Sequence, residues 1–141
     1  MKTRTLMVSS SAVLAIAGLF ALFVPDELLG NITAGQASSL AVILQLTGSL
    51  YFALAFVNWT ARDSRIGGIY LRPVSLGNFA HFFVGALVLG KYALENSQNF
   101  TIIAALSVYA FFAYFFWWLV FRSTGLVEKT EEIDSDDLVE K

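Results

Sequence analysis

Polar residues along this chain come in short clusters, and between the clusters lie four apolar stretches, each about the length of a membrane crossing. A helix rising 1.5 Å per residue needs about 20 mostly apolar residues to cross roughly 30 Å of hydrocarbon. No charge lies between Arg4 and Asp26, which predicts a first span over about Thr5 to Val24, broken by Pro25, Asp26 and Glu27. A second span is expected over about Ser38 to Trp59, inside an uncharged run from Leu28 to Ala61 that begins with the turn-forming Gly30, Asn31 and Gly35. The third runs over about Val74 to Leu94, opened by Pro73 and closed by Glu95, Asn96 and Asn99, with Lys91 close enough to its end to snorkel. The fourth covers about Phe100 to Phe121. Its run Phe111, Phe112, Tyr114, Phe115, Phe116, Trp117 and Trp118 leaves no polar stripe of the kind a water-soluble helix shows.

Composition sharpens this picture. Hydrophobic residues make up 57% and charged residues 14% of the chain, against roughly 25% charged in average soluble domains, and most of the acids lie after Gly125. The net charge of −2 argues against nucleic acid as a partner, because that binding needs a basic patch to displace counterions. There are no cysteines, which excludes disulfides, zinc–thiolate sites and thiol catalysis. The basic residues set an orientation. Lys2 and Arg4, then Arg62, Arg65 and Arg72, then Arg122 and Lys129 flank alternate ends of the spans, and only Lys91 falls on the other side. Because such residues are retained in the cytoplasm, both termini are expected there, with Trp59, Trp117 and Trp118 near the inner interface.

The first span also shares features with a cleaved signal peptide, since Lys2 and Arg4 precede it and Gly35-Gln36-Ala37 forms a small-x-small site. Its uncharged run exceeds the roughly 7–15 residues of a signal core, and the cut would fall far beyond its end, so a retained helix is expected. Residues 123–141 are rich in acids, lack aromatic residues and read as a disordered or loosely helical cytoplasmic tail. The fold expected is thus an all-α, four-helix transmembrane bundle of up-down topology over residues 1–122, because the joining loops are short.

Few side chains in such a bundle carry chemistry. Asn58 closes the second span, Asn78 opens the third, and His81, the one histidine of the chain, follows Asn78 by three residues on the same helical face. His81 lies about 10 Å inside the span counted from Val74. Tyr114 and Tyr51 fall at a similar depth, so an Asn, His and Tyr cluster at one level is allowed by the spacing. A polar group without a partner in hydrocarbon costs several kcal/mol, which directs His81 toward the bundle. Gly77 and Gly85 stand one turn on either side of it, a small-residue pattern that lets a neighbouring helix approach. His81 either handles a proton or orients a ligand, or it is a neutral residue joining two helices; the second role is expected, because no further acid, base or metal ligand accompanies it. The loop Trp59 to Pro73 presents Arg62, Arg65 and Arg72 around Gly67-Gly68, where guanidiniums could meet lipid phosphates, although cytoplasmic retention already accounts for the arginines. Asn31-Ile-Thr and Asn99-Phe-Thr match the glycan acceptor pattern in short loops beside membrane helices.

The layout of four closely spaced spans around a Gly- and Arg-containing inner loop resembles the small DoxX-like inner-membrane proteins of bacteria, and the stretch Gly67-Gly68-Ile-Tyr-Leu-Arg-Pro-Val-Ser-Leu-Gly-Asn-Phe-Ala-His81 is similar to that of uncharacterised bacterial four-helix membrane proteins. The resemblance implies a multi-pass protein of the bacterial inner membrane and association with a respiratory or stress-related complex; it carries over no functional residue. Three functions are open. The foremost is a non-catalytic component that binds a lipid, a quinone or a partner helix, or a second copy of itself, through the aromatic fourth span and the small-residue face of the third. The next is an enzyme or proton-coupled component centred on His81, with Asn58, Asn78 or Tyr114 orienting the substrate and Tyr51 and Arg72 nearby. The last is a small transporter formed by oligomerisation, disfavoured because no acid lies inside a span. No resident cofactor or metal is expected.

Overall fold

The computed structural model describes residues 3–30, 34–63, 71–95 and 99–139, with side chains placed for 3–30, 39–63, 71–95 and 99–121, and these residues are entirely helical or connecting. The elements in chain order are α1 (Thr3–Phe23), α2 (Pro25–Leu29), α3 (Ala34–Ala61), α4 (Leu71–Glu95) and α5 (Phe100–Val139). Four segments, Thr3–Phe23, Ser39–Ala61, Leu71–Glu95 and Phe100–Phe121, are long and apolar enough to cross a membrane. Each agrees with a span expected from the sequence to within about three residues at either end. Arg65, the Gly67-Gly68 turn and Asn31-Ile-Thr lie outside the described residues.

The surface is inverted relative to a protein folded in water. Ile43, Leu46, Leu50 and Phe56 are each more than half exposed, as are Val84, Leu87 and Val88, whereas Ser10, Asn58 and Asn78 are fully buried. In lipid, aliphatic side chains gain nothing by turning inward, while polar groups must find partners inside the protein. Four candidate membrane-spanning helices with this pattern are the make-up of a multi-pass membrane protein.

The chain forms two compact units, Met1–Asp63 and Ser64–Lys141. In the first, α1 and α3 pair antiparallel: Gln45 Nε2 donates to Leu22 O at 3.2 Å near one end, and Arg4 meets Asp63 near the other. The pairing depends on small residues two turns apart on each helix. Gly18 lies against Gly48 and Ser11 against Ala55, which lets the backbones approach more closely than larger side chains allow.

Pro25 and the acids after it end the first span, as expected, and they also begin a short second helix. Val24 N still donates to Phe20 O at 2.9 Å, and Pro25 then starts α2, with Asp26 and Glu27 in its first turn. Proline suits a first helical position because the N–H it lacks would have no partner there, and acids are favoured at that positive end. Gly30 ends α2 at φ 60°, a left-handed backbone that favours glycine.

In the second unit α4 and α5 also run antiparallel. Phe82 of α4 stacks on Phe112 at 4.9 Å and on Phe116 at 5.9 Å between centroids, and one turn further along α4 Gly85 meets Tyr109. Pro73 falls within the first turn of α4, where backbone N–H groups lack helical acceptors anyway. Asn99 caps α5: its Oδ1 accepts from Thr101 N at 3.1 Å and from Ile102 N at 3.4 Å, which accounts for the asparagine of Asn99-Phe-Thr by helix capping. Helix α5 has 40 residues, about 60 Å at 1.5 Å each, twice a hydrocarbon core. Its apolar part ends at Phe121, and the backbone of the acidic segment continues as helix to Val139.

Candidate functional site

The residues singled out from the sequence divide between the two units: Tyr51 and Asn58 belong to the first, and Arg72, Asn78, His81 and Tyr114 to the second. In the first unit the middle of three consecutive serines on α1 supplies a partner for Asn58. Ser9 and Ser10 turn their hydroxyls back onto their own helix, donating to Leu6 O and Met7 O at 3.1 Å. Ser11 instead donates across the hairpin to Ala55 O at 2.7 Å. Asn58 Nδ2 donates to Ser10 Oγ at 3.1 Å. The result is a buried polar node spanning α1 and α3, in which the Asn58 amide meets the Ser10 hydroxyl and the Ser11 hydroxyl meets a backbone carbonyl away from lipid. Tyr51 lies two turns, about 10 Å, from Asn58 along α3; it is half-buried, and its Cβ stands beside Gly18 at the helix crossing. The serine run passed unnoticed in the sequence because serines are common in membrane helices; the signal was three consecutive hydroxyls inside an uncharged span.

In the second unit Asn78 is buried and its Nδ2 donates to Val74 O, one turn back, at 2.8 Å. Ser75, on the same buried face, has an Oγ with no hydrogen-bond partner among the described residues. His81 is half-buried, with its ring 5.0 Å from that of Phe82 and 5.6 Å from that of Tyr109. The tyrosine beside His81 is therefore Tyr109; Tyr114 is 59% exposed and neighbours Phe115 and Trp117. Of the two glycines flanking His81, Gly85 serves close packing, because the Tyr109 ring occupies the space a β-carbon would take, whereas Gly77 faces open space. Arg72 lies exposed in the first turn of α4.

A concavity of this unit lies elsewhere, on the face carrying Tyr114. A groove of about 490 Å³ runs between α4 and α5, lined by Phe79, Phe83 and Ala86 on one side and by Ala110, Ala113, Tyr114 and Trp117 on the other. The spacing of three and four residues on each helix puts these side chains in one line. Phe79 and Phe83 stack at 5.3 Å, and Tyr114 sits 6.3 Å from Trp117, so aromatic walls rise from both helices around three alanines that keep the floor low. Nothing in this lining is an acid, a base or a nucleophile poised for catalysis. Its chemistry is the stacking and burial of a flat apolar body, with the Tyr114 hydroxyl and the Trp117 indole N–H as polar contacts. The groove escaped the sequence reading because its alanines look like ordinary span residues; their spacing is informative only once the facing helix is known.

Among the described residues no three His, Asp or Glu side chains come close enough to hold a metal ion. No protein-family model matches the chain, and comparison with curated proteins and with solved structures returns no match.

Proposed function

We propose that this is a non-catalytic component of a bacterial inner membrane that binds a flat, membrane-soluble ring of the quinone class in the groove between α4 and α5. The observation that carries the reading is the aromatic walling of that groove by Phe79, Phe83, Tyr114 and Trp117 over an alanine floor. Aromatic pairs contribute about 0.5–1.5 kcal/mol each beyond the area they bury, and a ligand already dissolved in the bilayer reaches the groove without leaving hydrocarbon. The proposal includes an up-down arrangement of the spans with both termini in the cytoplasm, supported by the basic residues at Arg4, Arg62 and Arg72. That orientation puts Tyr114 and Trp117 toward the inner interface, where amphipathic rings are favoured.

The test is quenching of tryptophan fluorescence by a short-chain quinone added to the full-length protein in lipid nanodiscs. Saturable quenching is expected, and Ala110→Phe, which fills the groove from its exposed side, is expected to abolish the saturable part. Quenching that stays linear in quinone, or that is the same in Ala110→Phe, overturns the reading.

A further inference from the structure

A second concavity lies in the first unit, at the end where α1 begins and α3 finishes. Arg4 and Arg62, far apart in sequence, converge on one carboxylate: Arg4 Nε stands 3.1 Å from Asp63 Oδ1, and Arg62 Nε stands 3.3 Å from Asp63 Oδ2. Two guanidiniums against one carboxylate leave a positive charge in excess. The Arg62 guanidinium also lies over the Trp59 ring, 4.3 Å from its centroid, and donates from Nη1 to Trp59 O at 2.6 Å. It is thus held in place from two directions. A guanidinium has five N–H donors, and one carboxylate, shared with Arg62, can accept from only some of those of Arg4. The Arg4 side chain is 71% exposed, so its terminal amino groups remain open to an incoming anion.

Beside these charges is a groove of about 460 Å³, lined by Arg4, Val8, Ser9 and Ala12 of α1 and by Trp59 and Arg62 of α3. Its lining passes from guanidinium to hydrocarbon along α1, over about 12 Å from Arg4 to Ala12. That gradient matches one ligand class, in which a phosphate is joined to acyl chains. We propose that this groove is a binding site for an anionic glycerophospholipid, its phosphate held by Arg4 and Arg62 and its first acyl segment laid along Val8, Ala12 and Trp59. Cytoplasmic retention of basic residues accounts for having arginines at these positions; it does not account for two of them converging on a shared carboxylate at the mouth of a half-apolar groove. A soluble phosphate would satisfy the guanidiniums and leave the apolar part empty, so the lipid is the occupant of choice. Planar, forked guanidiniums suit phosphate oxygens better than ammonium groups do. The site lies in a different unit from the aromatic groove, and neither proposal depends on the other.

The experiment is native mass spectrometry of the full-length protein released from detergent micelles after titration with phosphatidylglycerol, with phosphatidylcholine, or with phosphatidylglycerol in the presence of inorganic phosphate. Phosphatidylglycerol is expected to stay bound, with phosphatidylcholine roughly tenfold weaker for want of net charge, and inorganic phosphate at millimolar concentration is expected not to displace it. Arg4→Gln and Arg62→Gln are each expected to weaken phosphatidylglycerol roughly fivefold, as loss of one basic contact implies. Arg72→Gln, equal in charge but outside the groove, is expected to leave it unchanged. Equal retention of phosphatidylcholine, displacement by inorganic phosphate, or an equal loss in Arg72→Gln overturns the proposal. Should Arg62→Gln fail to purify, Arg4→Gln decides alone, because Arg4 is exposed and outside the core of the hairpin.

Discussion

Gly18 and Gly48 cross so closely that a β-carbon built on either would stand 2.8 Å from the carbonyl oxygen of the other. The atoms it would meet are backbone, which has little room to give, and on the Gly48 side the Ala21 β-carbon would also stand at 2.9 Å. The hairpin of α1 and α3 is expected to lose about 1–3 kcal/mol on Gly18→Ala or Gly48→Ala through overpacking. Gly77→Ala supplies the control, since its β-carbon meets nothing within 4 Å, and it is expected to be neutral or to gain up to about 1 kcal/mol of helix propensity. Unfolding in mixed detergent–SDS micelles, followed by circular dichroism, separates the two outcomes. Equal behaviour of Gly18→Ala and Gly77→Ala would mean that the crossing is not as close as described.

The bond from Asn58 to Ser10 joins two fully buried side chains. A double-mutant cycle of Ser10→Ala and Asn58→Leu is expected to give a coupling of about 0.6 kcal/mol and not more than roughly 1.7, the range found for hydrogen bonds between membrane helices. Ser9→Ala combined with Asn58→Leu is expected to be additive, because the Ser9 hydroxyl is engaged with Leu6 O in its own helix. Coupling in the Ser9 cycle as large as in the Ser10 cycle would contradict the node.

Gly85 gives up its side-chain space to the ring of Tyr109, which in turn lies against His81 and Phe82. Gly85→Ala is expected to destabilise the hairpin of α4 and α5 in the native background and to cost much less when Tyr109 is already alanine, with a coupling of about 0.5–3 kcal/mol. The same unfolding assay reads it. Additivity of the two substitutions would place the ring elsewhere.

The proposed orientation has its own check. A reporter that fluoresces only in the cytoplasm, fused in turn to the N-terminus and to the C-terminus, is expected to be bright in both fusions, as an even number of crossings requires. One dark terminus would overturn the four-span arrangement with both ends in the cytoplasm.

How far the sequence carried depends on what each property needs. The spans were legible because a helix in hydrocarbon must satisfy its own backbone hydrogen bonds and shed its charges, which are features of the linear chain. The limits of the third and fourth apolar spans followed, to within about three residues, from Pro73, Glu95, Asn99 and Phe121 for the same reason, while α5 itself runs on to Val139. The end of α1 was legible from Pro25, but α2 was not, since Pro25 and the acids beside it serve as a stop signal and as the start of a helix alike.

What only the tertiary structure decided is which faces meet. In water a helix announces its buried face through its apolar stripe, but in lipid all faces are apolar, and the sequence is nearly silent on rotation about the helix axis. So the spacing allowed His81 to meet Tyr114, and the fold put Tyr109 there. It allowed Asn58 any inward partner, and the fold chose Ser10. Arg4 and Asp63 lie at opposite ends of the first unit's chain, and it took the antiparallel return of α3 to place them 3.1 Å apart. Length and hydropathy along the chain determined that helices cross a bilayer here; the close fit of Gly18 on Gly48 and of Tyr109 on Gly85 is short-range packing, which exists only once the helices have met.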